Sequence, residues 1–221
     1  MNLPRKNSAG DGENLTQGRR YILNKANSLD IPPTNSQQGV RVTQEIETLS
    51  SRVIYQNPWM TLKEDRILRG DGNEGVYSTI EKPDFVVILP VQDEHIYVVE
   101  QYRYPLKART IELPQGSWEL SPDAKPEDIA AGELREETGL VAERLTYVGY
   151  QKLAQGYSAQ GYHIYLATDL TQQQQELDAE EYGLTARAMA KAEFLSLILE
   201  GKISDATSVT VFLLAQAKGL I

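Results

Sequence analysis

Two neighbouring runs, Asp84 to Val91 (DFVVILPV) and His95 to Tyr102 (HIYVVEQY), constrain the fold of this chain more than any other feature. Both are apolar at successive positions, the pattern of strands with no solvent face, and Gln92 to Glu94 supplies a short polar turn between them. The rest of the chain has to be arranged around a buried strand pair. Upstream, Ser51 to Gln56, Thr61 to Leu68 and Gly75 to Glu81 alternate apolar and polar residues around the turn signals Asn57-Pro58 and Gly70-Asp71-Gly72. This predicts a small antiparallel sheet.

Residues before the sheet are of another kind. From Met1 to about Gln44 the chain is rich in Asn, Ser, Gly, Gln and Pro with few aromatics, too polar to offset the entropy of ordering, with one short patch, Arg19 to Leu29, able to form a transient helix. The expected organisation is a flexible tail at residues 1–45, an N-terminal β subdomain at 46–82 and a main domain at 83–221. Within the last, Ile111 onward (IELPQGSWE) reads as a short strand ending in Pro114-Gln115-Gly116, and Pro126 opens a helical pattern that runs to Thr138 and stops at Gly139. Leu145 to Gln151 and Tyr162 to Thr168 read as strands around a Gly156 to Gly161 loop, and Gln172 to Glu176 as a solvated loop edge. Helices at Ala190 to Glu200 and Asp205 to Lys218 close the chain.

Charge and composition exclude several functions. Among 221 residues, 31 acidic against 22 basic side chains give a net charge of -9, which argues against nucleic-acid binding because that needs a Lys/Arg stripe to displace counterions. A small anionic substrate would need a metal or local basic residues. With no cysteine there is no disulfide, thiolate metal site or Cys nucleophile, and only His95 and His163 are available for imidazole chemistry. No apolar run approaches the ~20 residues of a membrane span, and no secretory signal is expected. The expected location is the cytoplasm.

Chemistry is concentrated in Ala130 to Leu140, AAGELREETGL. On a helix Glu133 and Glu137 are i,i+4 and share a face, with Glu136 one turn from Glu133; like charges so spaced cost roughly 0.2–0.5 kcal/mol per pair unless a cation lies between them. Mg²⁺ and Mn²⁺, which favour carboxylate oxygens, would remove that conflict. A helical projection puts Ala130, Ala131, Leu134 and Thr138 on the buried face, with Glu133 and Glu137 at its border. A solvated charged face, with Arg135 as partner, explains the helix equally well by itself. The upstream turn favours the metal site, since Gly116 lets main-chain groups approach a ligand closely.

ELPQG followed by AAGELREETGL resembles the Nudix box, with Glu133, Leu134, Glu136, Glu137, Gly139 and Leu140 in register. Gly116 lies two residues further from the helix than the usual pattern, Glu119 is the acidic residue nearest to the mid-box glutamate, and Gly132 stands where the pattern has Arg. VVEQYRYP at Val98 to Pro105 and EGKISDATSVTVFLLAQ at Glu200 to Gln216 extend the resemblance to the ADP-ribose pyrophosphatase branch. That resemblance implies an α/β/α sandwich with a mixed sheet, the box helix on one face and the C-terminal helices on the other, plus the small N-terminal antiparallel sheet as a homodimerisation element. It also implies Glu133, Glu137 and the backbone carbonyl of Gln115 as metal ligands, with Glu136 beside them, for Mg²⁺ or Mn²⁺.

The implied reaction is attack of water on a diphosphate, splitting a small nucleoside diphosphate derivative such as ADP-ribose into two monophosphates. A general base on a late loop would be Glu180 or Glu181 of LDAEEYGL, and Arg103, Glu112 and Gly116 would contact the substrate. Tyr102, Tyr104 and Trp118 either stack on a base or pack. Alternatives are a non-catalytic sensor of ADP-ribose or a nucleotide sugar, and a hydrolase of dinucleoside polyphosphates or NADH.

Overall fold

The computed structural model describes residues 45–118, 121, 123–177 and 181–221. Apart from Glu45, the tail expected at residues 1–45 lies outside them, with its Arg19 to Leu29 patch, and so do Glu119 and Glu180.

Three strands, β1 (Ile46–Asn57), β2 (Met60–Arg69) and β3 (Glu74–Glu81), form the expected antiparallel sheet in the order β1-β2-β3. Its turns are made by side chains that imitate backbone acceptors. The Asn57 Oδ1 accepts from the N–H groups of Trp59 and Met60 at 3.0 and 2.8 Å, and the Asp71 Oδ1 accepts from Asn73 N–H at 2.9 Å. β1 begins five residues earlier than the alternation suggests, because Ile46 pairs with Arg69 at the far end of β2.

The second sheet has seven strands: β4 (Phe85–Gln92), β5 (His95–Arg103), β6 (Ala108–Glu112), β7 (Gln115–Gly116), β8 (Leu140–Lys152), β9 (Gly161–Gln172) and β10 (Thr185–Ala190). The order is β10-β5-β4-β9-β8, with β6 on β5 and β7 on β4; β4 and β9 run parallel and the other pairs antiparallel. The buried pair expected from the sequence is joined only at its hairpin end, Val91↔Ile96 and Gln92↔His95. Beyond that the strands part, and the Ala108–Gly116 segment bridges the gap, β6 pairing with β5 and β7 with β4. Leu113 is fully buried there, and the Pro114 carbonyl accepts from Ile88 N–H at 2.9 Å, so the turn that follows is anchored in the sheet.

Alternate residues of β4 feed two cores, as a strand's two-residue period requires. Val87 and Leu89 pack with Ile96, Val98, Leu113 and Ile164 against Phe194 of α2 (Lys191–Leu199) and Val211, Phe212 and Ala215 of α3 (Ala206–Ala217). Val86 and Ile88 pack with Tyr165 and Ala167 against Ile129, Ala130 and Leu134 of α1 (Pro126–Thr138). Helices on both faces of a mixed sheet make the expected α/β/α sandwich. No helix among the described residues is long and apolar enough to cross a membrane.

α1 has the bounds its flanking signals predict: Pro126 in the first turn, Glu127 and Asp128 beside the N-terminus, and Gly139 as C-cap at φ 71°, its N–H donating to the Arg135 carbonyl at 2.8 Å. Two details differ. Ala131 is exposed, while Glu133 and Glu137, expected at the border, are inside the buried stripe at 5% and 2% exposure. The glutamine run is the exposed loop edge expected, and it also caps α1. Gln173 N–H donates to the Gly139 carbonyl at 2.7 Å, Gln172 Nε2 to Thr138 O at 3.1 Å, and Gln175 Nε2 to Glu137 O, satisfying acceptors that a helix C-terminus leaves open.

Candidate active site: a carboxylate cleft beside the C-terminal half of α1

α1 presents Glu133 and Glu137 one turn apart toward β7, and the segment ahead of β10 brings Glu181 to the same place. One carboxylate oxygen from each of the three lies within 4.8 Å of the others. The β6–β7 turn makes the approach feasible. Gly116 has no Cβ, and one built there would stand 2.3 Å from Glu133 Oε2, so any larger residue would push the carboxylate away. Next to it the Gln115 N–H donates to Glu137 Oε2 at 3.0 Å. These groups line a cleft of about 320 Å³ together with Trp59, Gln101, Arg103, Ser117, Trp118 and Glu136.

Burial raises the Glu137 carboxyl well above the ordinary carboxylate range; the charge of Glu133 pushes it further, with a smaller push from Glu181, against the pull of the Gln115 N–H and Arg103. Buried like charges with only partial compensation form a poor site for stability and a good one for a hard divalent cation. The donor set, all oxygen and crowded on one side of a glycine turn, fits such an ion.

Arg103 sits at the end of β5, half-buried, and grips Glu112 with its fork, Nε to Oε1 at 2.9 Å and the terminal nitrogen to Oε2. Glu112 holds the Arg103 guanidinium above its ordinary range. Glu112 is itself buried at 3% exposure and also accepts from Gln115 Nε2 at 2.8 Å. From there the network reaches α3: Thr207 Oγ1 donates to Gln115 Oε1 at 2.8 Å, and Asp205, the N-cap, accepts from Ser208 N–H at 2.9 Å. Ser208 Oγ in turn accepts from Leu113 N–H at 2.7 Å. A second hollow of about 350 Å³ adjoins the carboxylate cleft, sharing Arg103 and Gln115 as a wall, with Phe85, Pro105, Leu106 and Leu153 on its apolar side.

Most residues singled out from the sequence thus meet here: Glu133, Glu137 and Glu181 in the cluster, and Glu136, Gln115, Gly116 and Arg103 around it. Glu112 stands behind Arg103, lining the second hollow, and Glu180 lies outside the described residues. Arg135 does not partner the cluster; its ion pair is with Glu176 at 3.6 Å. Gly132, odd as a box residue, has a packing reason, since a Cβ there would meet Trp118 Cζ2 at 2.1 Å. Trp118 is accordingly packed across the helix. Three contributors escaped the sequence reading, namely Trp59, Gln101 and Asp205. Only Asp205 carried a signal, as the N-cap residue of a predicted helix.

Comparison with known proteins agrees with this geometry. Residues 46–80 match the nucleoside diphosphate sugar hydrolase N-terminal domain and residues 82–209 the NUDIX domain. The ADP-ribose pyrophosphatase of Bacillus subtilis (strain 168) is 27% identical over 177 residues, 79% of this chain and 94% of that protein. The ADP-ribose pyrophosphatase of Mycobacterium tuberculosis (strain ATCC 25618 / H37Rv) is 29% identical over 175 residues, 78% and 84% of the two chains. A methanol dehydrogenase activator of Bacillus methanolicus is 27% identical over 168 residues, 75% and 89%. A crystal structure of an ADP compounds hydrolase shares the fold at a TM-score of 0.72 and 21% identity, covering 80% of this chain and 96% of that one. With the NUDIX match spanning more than half of its length, the chain belongs to the Nudix family, as a hydrolase related to the ADP-ribose pyrophosphatases.

Proposed function

We propose that the protein hydrolyses the diphosphate of a nucleoside diphosphate joined to another moiety, ADP-ribose or a related nucleotide sugar, releasing two monophosphates. The observation that carries this reading is the trio of carboxylate oxygens from Glu133, Glu137 and Glu181 within 4.8 Å of one another, in a cleft that Arg103 also lines. Mg²⁺ or Mn²⁺ bound there would neutralise charge on the diphosphate and lower the pKa of the attacking water.

The chain's own groups divide the remaining work. Glu133 and Glu137 are the principal ligands, with Glu136 and the Gln115 carbonyl beside them. Gly116 leaves the backbone open to the diphosphate, and Arg103, oriented by Glu112, binds it through its planar fork. Glu181 accepts the proton of the attacking water; its support is the closeness of its carboxylate to the other two. The adjoining hollow of about 350 Å³, polar along Arg103 and Glu112 and apolar opposite, is matched to an amphipathic sugar or base.

Release of phosphate from the products of ADP-ribose, sugar nucleotides, NADH and diadenosine polyphosphates, with Mg²⁺ or Mn²⁺, tests the assignment. Turnover of one diphosphate class, abolished by EDTA and lowered by Glu137→Gln, is the expected result. Turnover indifferent to both removes the metal site, and tight binding of every diphosphate without turnover replaces the enzyme with a sensor.

The same proposal covers organisation. Residues 46–82 are a β subdomain through which two copies pair, and residues 83–221 the hydrolase domain. Support comes from β1, a sheet edge that exposes Ile46, Leu49, Val53, Ile54 and Tyr55, more apolar surface than an unpaired edge strand usually carries. A monomer by light scattering at micromolar concentration ends the dimer. The enzyme is assigned to the cytoplasm, in keeping with a chain that has no cysteine.

A further inference from the structure

Two members of the carboxylate cluster are held by a helix and the third is not. Glu133 and Glu137 keep their spacing because α1 does. Glu181 belongs to the connection between β9 and β10, in a single 3-10 turn ahead of β10. Its carboxylate stays within 4.8 Å of the other two only while that turn keeps its place in the fold.

At its near end the connection is tied to α1 by the donors of Gln172, Gln173 and Gln175, and by Glu176 N–H to the Glu136 carbonyl at 3.3 Å. At its far end the Glu181 carbonyl accepts from Leu184 N–H at 2.9 Å, closing a turn through Gly183, whose φ of 80° suits glycine. That turn is fastened from outside. Arg109, on β6, donates through a terminal nitrogen to the Gly183 carbonyl at 2.9 Å. The same nitrogen reaches the Glu100 carbonyl at 2.7 Å, and Nε reaches the Glu100 carboxylate at 2.9 Å. Glu100 lies on β5 opposite Thr185, the first residue of β10, so the guanidinium spans from β6 across β5 to the point where the Glu181 turn enters the sheet.

We infer that Arg109 is a positioning residue of the active site, holding Glu181 in register with the α1 glutamates through the Gly183 carbonyl. Arg109 does not line the carboxylate cleft, so its influence on turnover passes through Glu181. A rigid planar fork locked by Glu100 can do this; a flexible ammonium cannot satisfy the same acceptors at once. The inference rests on the proposed role of Glu181, and the experiment separates the two.

The experiment is a double-mutant cycle of Arg109→Ala and Glu181→Gln, read by kcat and KM and by Mn²⁺ affinity from titration calorimetry without substrate. Whatever Glu181→Gln changes, Arg109→Ala is expected to change in the same direction by a smaller factor. For kcat the expected loss is about ten- to a hundredfold, the usual effect of misplacing a reacting group by about an ångström, with KM nearly constant. In the Glu181→Gln background, Arg109→Ala is expected to add nothing. An equal loss in both backgrounds means general damage and overturns the inference. So does an Arg109→Ala enzyme with wild-type constants beside an impaired Glu181→Gln, a result that leaves the proposed function standing. An unimpaired Glu181→Gln refutes the proposed role of Glu181 and the inference with it. Should the alanine variant melt early, Arg109→Gln, which retains one donor, takes its place in the cycle.

Discussion

The two faces of the seven-stranded sheet are covered by helices of opposite chemistry. α2 and α3 bring Phe194, Val211 and Phe212 to it at 0% exposure, and the polar side chains that α3 buries, Thr207 and Ser208, are neutral hydroxyls. α1 brings Ile129, Ala130 and Leu134 together with two carboxylates buried almost as deeply. β4 serves both through alternate residues, so the difference belongs to the helices. One face supplies stability through dispersion and removal of apolar area from water. The other keeps enough apolar contact to seat a helix and devotes the rest of its buried stripe to carboxylates that repel one another.

If that division holds, the largest effect lies on the apolar face. Phe212→Ala should cost about 3–5 kcal/mol, the usual cavity penalty for a buried phenylalanine. A thermal melt should show this as a fall of roughly 6–20 °C for a protein of this size. Turnover well below the melting temperature should be unchanged; a drop there would join two faces that we describe as separate.

On the α1 face the same experiment reverses. Glu137→Gln should lower kcat by about 10²–10³, as for other preorganised electrostatic groups, while raising stability in EDTA at neutral pH. The sign follows from the direction of the shift. Glu137 is raised above its ordinary value of 4.5 in the folded state, so its contribution to stability is present below that value and is lost as pH rises through the raised one. The gap in melting temperature between variant and wild type should therefore open between acidic and neutral pH, and Mn²⁺ should close it. A gap independent of pH would show that burial of the charge is not its cause.

Two smaller effects sharpen the comparison. Gly132→Ala ought to gain about 0.5–1 kcal/mol as a helix-interior glycine replaced by alanine. Because the new methyl would meet Trp118 at 2.1 Å, we expect a net loss of about 1–3 kcal/mol by denaturant titration. Asp205→Ala should cost about 0.5–2 kcal/mol as a lost N-cap, with a modest rise in KM as Gln115 loses its neighbour.

How far such a site can be read beforehand depends on the range of the forces that make it. The limits of α1 were legible because Pro126 and Gly139 act within a turn, and the layered core was legible in a strand apolar at consecutive positions. The Glu133 and Glu137 pairing needed only helical spacing. That they are buried and not at the border needed the β7 turn against them. Arg103 and Glu112 were both candidates for substrate contact, but the β5–β6 pairing that sets them on one face also lets them grip each other. The glutamine run, with no period, gained meaning only when the end of α1 arrived beside it.

The amino-acid sequence by itself determined most of the strands, the helices and the family pattern of the glutamates, because those depend on residues within a turn or two of one another, whereas β10 and most of β6 were not legible in it. The tertiary structure decided which carboxylates meet. Gln115 reaches Glu137 across 22 residues of chain and Asp205 across 90, and Arg109 reaches Gly183 across 74. Contacts of that span exist only after the sheet has set its register, and they distinguish a cleft of converging carboxylates from an acidic helix face.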